Sequence, residues 1–349
     1  MTSHPHEYQE RVVPFTAGDG FQLNLINVRG QEPGSKGPVV LVHGAGVRAN
    51  LFRAPARTTI VDYLIQNGYD VWLLNWRASI EFEPNTWTLD KAALYDHPEA
   101  IKTVAKETGS DEIKAIIHCQ GSTSFMMSAM AGLVPQVKTI VTNAVSLHPV
   151  VPPWSVFKLN FMVPIFSSMT EYLNPRWGIE KSSNLAAKGV SLMTKLFHHE
   201  CENAVCKQVS ITYGAGFPAL WRHENITEET HEWLKHEFAE VPIAFFRQIA
   251  KCVRRGNLVS VEGHKQLPAD FVAQPPQTDA RFAFFAGEKN QCFLAKSQVE
   301  SYEYFNKLRK NYHALHVLPQ YSHLDVFWGK KAVEETYPLI LKELDTPVN

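Results

Sequence analysis

The 349-residue sequence predicts an α/β protein with a mostly parallel sheet, helices on both faces and a helical insertion. Buried apolar runs and amphipathic stretches alternate in the first half, which implies right-handed crossovers between parallel strands. This rhythm stops near His148, and strand-like runs return only at residue 281. We therefore expect a core formed by residues 1–149 and 277–349, with residues 150–276 inserted into it as a mainly helical cap.

The individual elements follow from side-chain periodicity. Residues 21–28 alternate apolar and polar side chains, as a half-exposed strand does. Continuous apolar runs predict buried strands, and amphipathic runs predict helices. The predicted buried strands are 38–44, 69–76, 112–119, 137–145, 281–287 and 313–319, and the predicted helices are 58–68, 97–109, 120–132 and 331–344.

Composition excludes several classes of function. The net charge of −1 provides no field that would attract nucleic acid, so we expect no nucleic-acid partner. No stretch has the ~18 uncharged apolar residues that a transmembrane helix needs, and the N-terminus has no secretory signal pattern. The five cysteines are irregularly spaced, which favours a reducing compartment. We expect a cytoplasmic protein without a cofactor, and the sequence does not indicate its oligomeric state.

The stretch "IIHCQGSTSF" (116–125) contains the first candidate catalytic residue. A strand that runs directly into a helix forms a sharp turn, which exposes the side chain of Cys119 and directs the N–H of Gln120 at whatever that side chain attacks. The helix N-terminus also lowers the pKa of a thiol. Cys119 is therefore the predicted nucleophile. Ile117 stands where such turns usually have glycine, and we expect it to crowd the turn.

Two further loops at strand ends supply the other candidates. "HGAG" (43–46) predicts an oxyanion hole in which the N–H of Ala45 acts together with that of Gln120. His323 follows the last predicted strand and is the candidate base, and Asn290 follows the strand before it. The order nucleophile, orienting residue, histidine is that of the α/β-hydrolase triad.

The cysteine and the asparagine are consistent with each other. A thiol beside histidine and a helix N-terminus ionises readily, so the third residue mainly has to hold the imidazole in place. A neutral amide does this in the Cys-His-Asn proteases. Glu288 remains an alternative partner for His323, and Asp325 is a weaker one because it lies on the helix side of the histidine.

These segments resemble known families. "YDVWLLNWR" and "HLDVFWG" are similar to segments of acid lipases, within the α/β-hydrolase superfamily. "GYDVWLLNWRASI", "HCQGSTSF", "CENAVC…ITYG", "GEKNQCFL" and "YPLILKEL" resemble the cysteine-nucleophile module fused to glucose-methanol-choline (cholesterol-oxidase-like) oxidoreductases. That resemblance implies metabolism of lipid- or sterol-like compounds and a pathway link to a flavin oxidoreductase. Polyhydroxyalkanoate synthases also carry a catalytic cysteine in a similar turn.

The expected activity is hydrolysis of a hydrophobic ester, lactone or thioester through an acyl-cysteine. Acyl transfer of the polyhydroxyalkanoate-synthase type and non-catalytic lipid or partner binding are the alternatives. The aromatic cap segment predicts a substrate pocket, lined by residues of the cap together with two histidines near the predicted site. These are Trp154, Phe157 and Phe161, with His43 and His118.

One stretch raises the question of zinc. "HHECENAVC" (198–206) contains two histidines and two cysteines, which are common zinc ligands. A second Cys/His cluster at standard finger spacing is missing, and we therefore predict no metal site.

Overall fold

A computed structural model of the chain describes residues 8–31, 34–180 and 185–348. Residues 1–7, which form part of the stretch examined for a secretory signal, lie outside the described residues, as do four residues of the predicted cap. The described residues form an eight-stranded sheet and a two-stranded one. The strands are β1 (Gln9–Thr16), β2 (Gln22–Arg29), β3 (Pro38–Val42), β4 (Asp70–Asn75), β5 (Ile113–His118), β6 (Val137–Asn143), β7 (Tyr172–Leu173), β8 (Val241–Pro242), β9 (Arg281–Gly287) and β10 (Ala314–Leu318).

The large sheet has the order β1-β2-β4-β3-β5-β6-β9-β10. Strands β4 to β10 in this order pair in parallel, whereas β1 and β2 are antiparallel additions at one edge. All five residues of β3 and all seven of β9 are buried, as the continuous apolar runs predict. The predicted mostly parallel sheet is therefore confirmed.

Helices flank the sheet, and they continue through the region between β6 and β9. They are α1 (Ile60–Gln66), α2 (Leu89–Lys91), α3 (His97–Thr108), α4 (Cys119–Met130), α5 (Pro153–Phe157), α6 (Val163–Phe166), α7 (Leu185–Phe197), α8 (Ala204–Tyr213), α9 (Glu228–Trp233), α10 (Ile243–Arg255), α11 (Ala295–Leu308), α12 (Asp325–Trp328), α13 (Ala332–Glu335) and α14 (Tyr337–Asp345). A π-helical turn, Lys158–Met162, joins α5 to α6. Helices α5 to α10 occupy the segment that the sequence assigns to the cap.

Three elements differ from the sequence-based expectations. The helix predicted over 331–344 is two helices, α13 and α14, because Pro338 lies in the first turn of α14 and favours a helix start there. Strand β1 was not predicted, since its outer residues are mostly exposed and its apolar alternation is weak. Helix α11 was also missed, because its buried face consists largely of serine and glutamine. Among the described residues, no helix is both long and apolar enough to cross a membrane.

Glycines allow the loops at the carboxyl ends of the strands to pack backbone against backbone. A Cβ atom at Gly121 would lie 2.0 Å from the carbonyl oxygen of His43, and one at Gly287 would lie 1.9 Å from that of Ser322. Neither contact is possible for a residue with a side chain. The first approach joins the start of α4 to the loop after β3, and the second joins the end of β9 to the loop that precedes α12.

We expect Gly121→Ala to destabilise the protein by about 1–3 kcal/mol or more, because α4 must move away from the loop after β3. Thermal or denaturant unfolding measures this change. Gly189→Ala in α7 is the matched control: the nearest atom to its Cβ is Cε1 of Phe166 at 4.0 Å, so this variant should be neutral or slightly more stable. Equal stabilities for the two variants would contradict the packing argument.

Candidate active site

Cys119 is the first residue of α4, directly after β5, and its backbone has φ +54°. This left-handed conformation is strained for a residue with a side chain and costs of order 1–3 kcal/mol. In α/β hydrolases, a strained strand-to-helix turn of this kind is the place of the nucleophile. Ile117 is fully buried in β5, where it pairs with Val42 and Thr142. The turn therefore forms with isoleucine at this position.

His323 faces Cys119, and Asn290 holds the opposite side of its ring. The Cys119 sulfur, one ring nitrogen of His118 and one ring nitrogen of His323 lie within 4.8 Å of one another. Asn290 Nδ2 lies 3.1 Å from His323 Nδ1, and Asn290 Oδ1 accepts a hydrogen bond of 2.8 Å from the N–H of Cys292. Because the Cys292 N–H needs an acceptor, the amide must present its N–H group to His323. In this state Nδ1 accepts, and the ring proton is on the nitrogen that faces Cys119.

The two alternative partners of His323 lie elsewhere. The side chain of Glu288 is 48% exposed and pairs with Lys289 Nζ at 3.4 Å. Asp325 is buried, but its carboxylate accepts hydrogen bonds from the N–H of Ser322 at 2.8 Å and from Asn225 Nδ2 at 2.6 Å. Asp325 thus fixes the loop that carries His323 and does not contact the imidazole.

Two further polar residues, Asn143 and His118, contact His323 and hold it in place. Asn143, at the end of β6, bonds through Nδ2 to His118 Nδ1 at 3.0 Å and donates to the carbonyl oxygen of His323 at 3.1 Å. The rings of His118 and His323 are 4.8 Å apart. Burial lowers the pKa of His118 well below its usual value, so this imidazole is neutral at physiological pH. His118 and Asn143 therefore position His323 without adding charge.

A small cavity lies between the loop after β3 and the predicted catalytic pair. Its lining includes Gly44, Ala45, Cys119 and His323. Ala45 therefore borders the same cavity as Cys119, which is consistent with the predicted oxyanion hole. His43 is fully buried against Trp76, at a ring separation of 5.9 Å, and it lines neither of the cavities that the described residues form at Cys119. The prediction that His43 lines the substrate pocket is wrong, because it packs beneath the loop.

A larger cavity, called here the large cavity, also reaches Cys119. Its lining is mostly apolar and comes from α5, α6, α7, α8, α10 and the loop after β9. The lining includes Gln120, Leu159, Val163, Phe166, Phe246 and Phe293. A lining of this character suits a hydrophobic ligand.

The aromatic residues predicted to line this cavity do not do so. Trp154 stacks on Phe157 with ring centroids 5.0 Å apart, and Phe157 contacts Phe161 at 5.1 Å. Phe157 is 44% exposed and Phe161 is 61% exposed, so the prediction is wrong. The helix is apolar on both sides, and its other side, with Leu159 and Val163, faces the cavity.

Three residues that sequence reasoning left out belong to the site: Lys158, Tyr213 and Cys292 line the large cavity beside Cys119. Lys158 Nζ donates to the carbonyl oxygens of Ile211 and Gly214, and burial lowers its pKa to about 7. The signal for Lys158 was a lone lysine within an apolar run. The signal for Cys292 was its position two residues after Asn290.

Cys292 sets the electrostatics of Cys119. A hydrogen bond from the Cys292 thiol lowers the pKa of Cys119 well below its usual value, and His323 and the Gln120 N–H act in the same direction. Burial opposes them. The pKa of Cys292 is raised in turn, because it is buried beside the developing thiolate. Cys119 is therefore the thiol of this pair that ionises.

Two cysteines of the stretch 198–206 belong to a side-chain cluster that the sequence did not predict. His223 and His231 lie against Cys201 and Cys206, and the ligand-type atoms of these four residues lie within 4.8 Å of one another. The prediction of no metal site rested on the lack of a second Cys/His cluster at standard finger spacing. The sequence has no such cluster, but the fold brings these four side chains together. Seven residues separate the two histidines, which is wider than standard finger spacing.

Residues 37–330 match the alpha/beta hydrolase fold family. The chain therefore belongs to that family. Part of it is 25% identical over 157 residues to Sterol esterase 2 of Saccharomyces cerevisiae, and part is 30% identical over 160 residues to human gastric triacylglycerol lipase. These matches cover 38% and 40% of this chain, and they span only 29% and 39% of those two relatives.

Solved structures show the same fold. An esterase of Pyrococcus furiosus superposes with a TM-score of 0.56 at 15% identity, covering 99% of this chain and 93% of the other. An esterase of Exiguobacterium antarcticum superposes with a TM-score of 0.57 at 11% identity, covering 96% and 99%. At these identities the likeness shows the fold alone.

We expect Cys292→Ala to raise the pKa of Cys119, because the variant removes the hydrogen bond that stabilises the thiolate. The pH dependence of alkylation at Cys119 by iodoacetamide measures this pKa. The alkylation profile should move to higher pH in Cys292→Ala and stay in place in Cys252→Ala, which removes a control thiol on the buried face of α10. An unchanged profile in Cys292→Ala would show that Cys292 does not act on Cys119.

Proposed function

We propose that the protein hydrolyses a carboxylic ester, lactone or thioester of a hydrophobic substrate, with Cys119 as nucleophile and His323 and Asn290 completing the triad. The observation that carries this proposal is the left-handed backbone of Cys119 (φ +54°), which presents its thiol to His323 at the junction of two cavities. A purely structural cysteine has no need of a strained turn at this place.

In the first half of the reaction, His323 accepts the Cys119 proton at Nε2, so its own ring proton must first lie on Nδ1, with Asn290 Oδ1 turned to accept it. The proton then passes from Cys119 to Nε2, and the sulfur attacks the substrate carbonyl carbon. A C–S bond forms, and the carbonyl oxygen becomes an oxyanion that accepts hydrogen bonds from the N–H groups of Ala45 and Gln120. The intermediate collapses with cleavage of the bond to the leaving group. His323 then gives its proton to the departing oxygen or sulfur, which leaves an acyl-cysteine.

In the second half, a water molecule attacks the acyl-cysteine while His323 accepts one of its protons. The second tetrahedral intermediate breaks its C–S bond, and the free acid leaves. His323 then returns its proton to the released thiolate, so the enzyme returns to its starting state.

Asn290 serves both protonation states of His323. In the resting tautomer its Nδ2 donates to Nδ1, as the 3.1 Å contact indicates. In the tautomer that acts as base, and in the imidazolium that follows, Nδ1 carries a proton and needs an acceptor. Rotation of the amide brings Oδ1 to face it, at the expense of the hydrogen bond with the Cys292 N–H. The low pKa of Cys119 reduces the need for a carboxylate at this position.

The lining of the large cavity favours a substrate with a hydrophobic acyl or alcohol group. Its lining is dominated by aliphatic and aromatic side chains, and the cavity begins at the sulfur that would be acylated. Two of the relatives with partial similarity are a sterol esterase and a triacylglycerol lipase, which agrees with a lipid-like substrate. No observation favours the transferase or the non-catalytic alternative.

We expect p-nitrophenyl esters of medium and long chain acids to form a transient adduct on Cys119, seen by intact mass after rapid acid quenching. The adduct should persist in Cys252→Ala and disappear in Cys119→Ala. In Cys119→Ala, kcat/KM should fall at least about 10³-fold, because the triad acts as a unit.

The released product separates the alternatives. Free acid supports hydrolysis, whereas transfer to an added alcohol or thiol in preference to water would replace hydrolysis by acyl transfer. Failure of the wild-type protein to form an adduct, release acid or react with thiol reagents at Cys119 near neutral pH would contradict the proposed function.

A further inference from the structure

A second cluster of chemically reactive side chains lies in the segment between β6 and β9, apart from the candidate active site. Cys201 precedes α8, Cys206 lies in the first turn of α8, His223 is in a short 3₁₀ helix and His231 is in α9. The two sulfur atoms and one nitrogen of each imidazole ring all lie within 4.8 Å of one another. Chain segments that are distant in sequence therefore bring two thiols and two imidazoles to one point.

The distances approach those of a metal site. In a tetrahedral zinc site, with Zn–S near 2.3 Å and Zn–N near 2.0–2.1 Å, neighbouring ligand atoms lie about 3.3–3.8 Å apart. Cys206 Sγ lies 3.5 Å from His223 Nε2, within this range. The rings of His223 and His231 are 4.8 Å apart and nearly perpendicular, at 87°. Contraction by about 1 Å would bring the widest pair to tetrahedral spacing.

The surroundings orient His223 as a ligand. Glu200 Oε2 lies 3.3 Å from His223 Nδ1, which directs the lone pair of Nε2 towards Cys206. Glu200 is itself fixed by a 3.0 Å hydrogen bond from the N–H of Ala219. A carboxylate behind a histidine is the usual outer partner of a histidine that binds zinc, because it sets the tautomer and raises the basicity of the ring.

His231 provides an independent observation. Its side chain is 8% exposed, and its Nε2 is buried with no hydrogen-bond partner among the described residues. A buried imidazole nitrogen without a partner loses its hydration and gains nothing in return. Coordination of a metal ion by this nitrogen would satisfy it.

We propose that Cys201, Cys206, His223 and His231 bind one Zn²⁺ ion in a closed four-coordinate structural site. Two thiolates and two imidazoles favour zinc over the oxygen-seeking ions calcium and magnesium. Four protein ligands leave no open position for water or substrate, so the ion stabilises the fold and does not take part in the reaction. This proposal does not depend on the proposed hydrolase activity.

The site would brace the loop that carries His323. The segment between the two cysteines and the two histidines includes Leu220, whose carbonyl oxygen accepts a 2.9 Å hydrogen bond from the N–H of His323. Next to His223, Asn225 donates to Asp325 at 2.6 Å. The ion therefore ties α8 and α9 to the segment against which the histidine loop rests.

The test is metal content of the full chain, purified under reducing conditions and supplied with ZnSO₄, then freed of loose metal by gel filtration. We expect one zinc per chain by native mass spectrometry, and cobalt substitution should give the visible absorption of a tetrahedral thiolate site. Cys201→Ser and His231→Gln should each lose the ion, whereas Cys252→Ser should retain it.

Glu200→Gln keeps all four ligands and serves as the second variant, because ligand substitutions also remove folding energy. It should weaken zinc binding by about 10–100-fold in competition with a chromophoric chelator. Removal of zinc from the wild-type protein should lower its melting temperature, and zinc should restore it.

Three results would overturn the proposal. One is a wild-type protein that binds no zinc under reducing conditions. Another is zinc retained equally by Cys201→Ser and Cys252→Ser. The third is a Cys201–Cys206 disulfide, seen as the loss of two hydrogens in the intact mass, that persists in the reducing buffer and excludes the ion.

Discussion

The site depends on one backbone contact, the approach of Gly121 to the carbonyl oxygen of His43. No Cβ fits at Gly121, since it would lie 2.0 Å from that oxygen. The contact holds the start of α4 against the loop after β3 and so brings Cys119 and Ala45 to the same cavity. It also helps to maintain the strained φ of +54° at Cys119, which relaxed surroundings would not maintain. At the same sheet edge, Gly287 allows an equally close approach to Ser322, next to His323.

The electrostatics of the site favour the Cys119 thiol and the Asn290 amide together. Hydrogen bonding by Cys292 and the presence of His323 lower the pKa of Cys119 despite its burial. A histidine beside such a thiol has less charge to acquire during the reaction, so a neutral partner suffices. The layer beneath is neutral as well, because burial lowers the pKa values of His118 and of His43, the latter to about 3.

The sequence was sufficient to predict the parallel sheet, the strand-to-helix turn at Cys119 and the loops with Asn290 and His323. These features come from short local patterns: buried apolar runs, glycines and the order of residues along the chain. It was also sufficient to name both Asn290 and Glu288 as partners of His323. Only the fold separates them, because Asn290 is buried beside the ring and Glu288 is exposed.

The features that the sequence did not predict depend on which sides of the helices and loops come into contact in the folded chain. The cap segment with Phe157 and Leu159 has large apolar residues on more than one side, and periodicity cannot tell which side faces the cavity. The Cys/His cluster unites residues in and around α8 and α9 at a spacing that no short motif describes. Lys158 stood out in the sequence as a charge within an apolar run, but its burial against two carbonyl groups is a tertiary feature.

The central claim is that Cys119 and Asn290 are a coupled pair, and a double-mutant cycle tests it most directly. The kcat/KM for a p-nitrophenyl ester would be measured for wild type, Cys119→Ser, Asn290→Asp and the double variant. In a serine enzyme, an amide in place of the carboxylate costs about 10⁴-fold. We therefore expect Asn290→Asp to raise the activity of the Cys119→Ser variant by about 10²-fold or more and to change that of the cysteine enzyme far less. Equal effects of Asn290→Asp in both backgrounds, or no gain in the Cys119→Ser variant, would contradict the coupling.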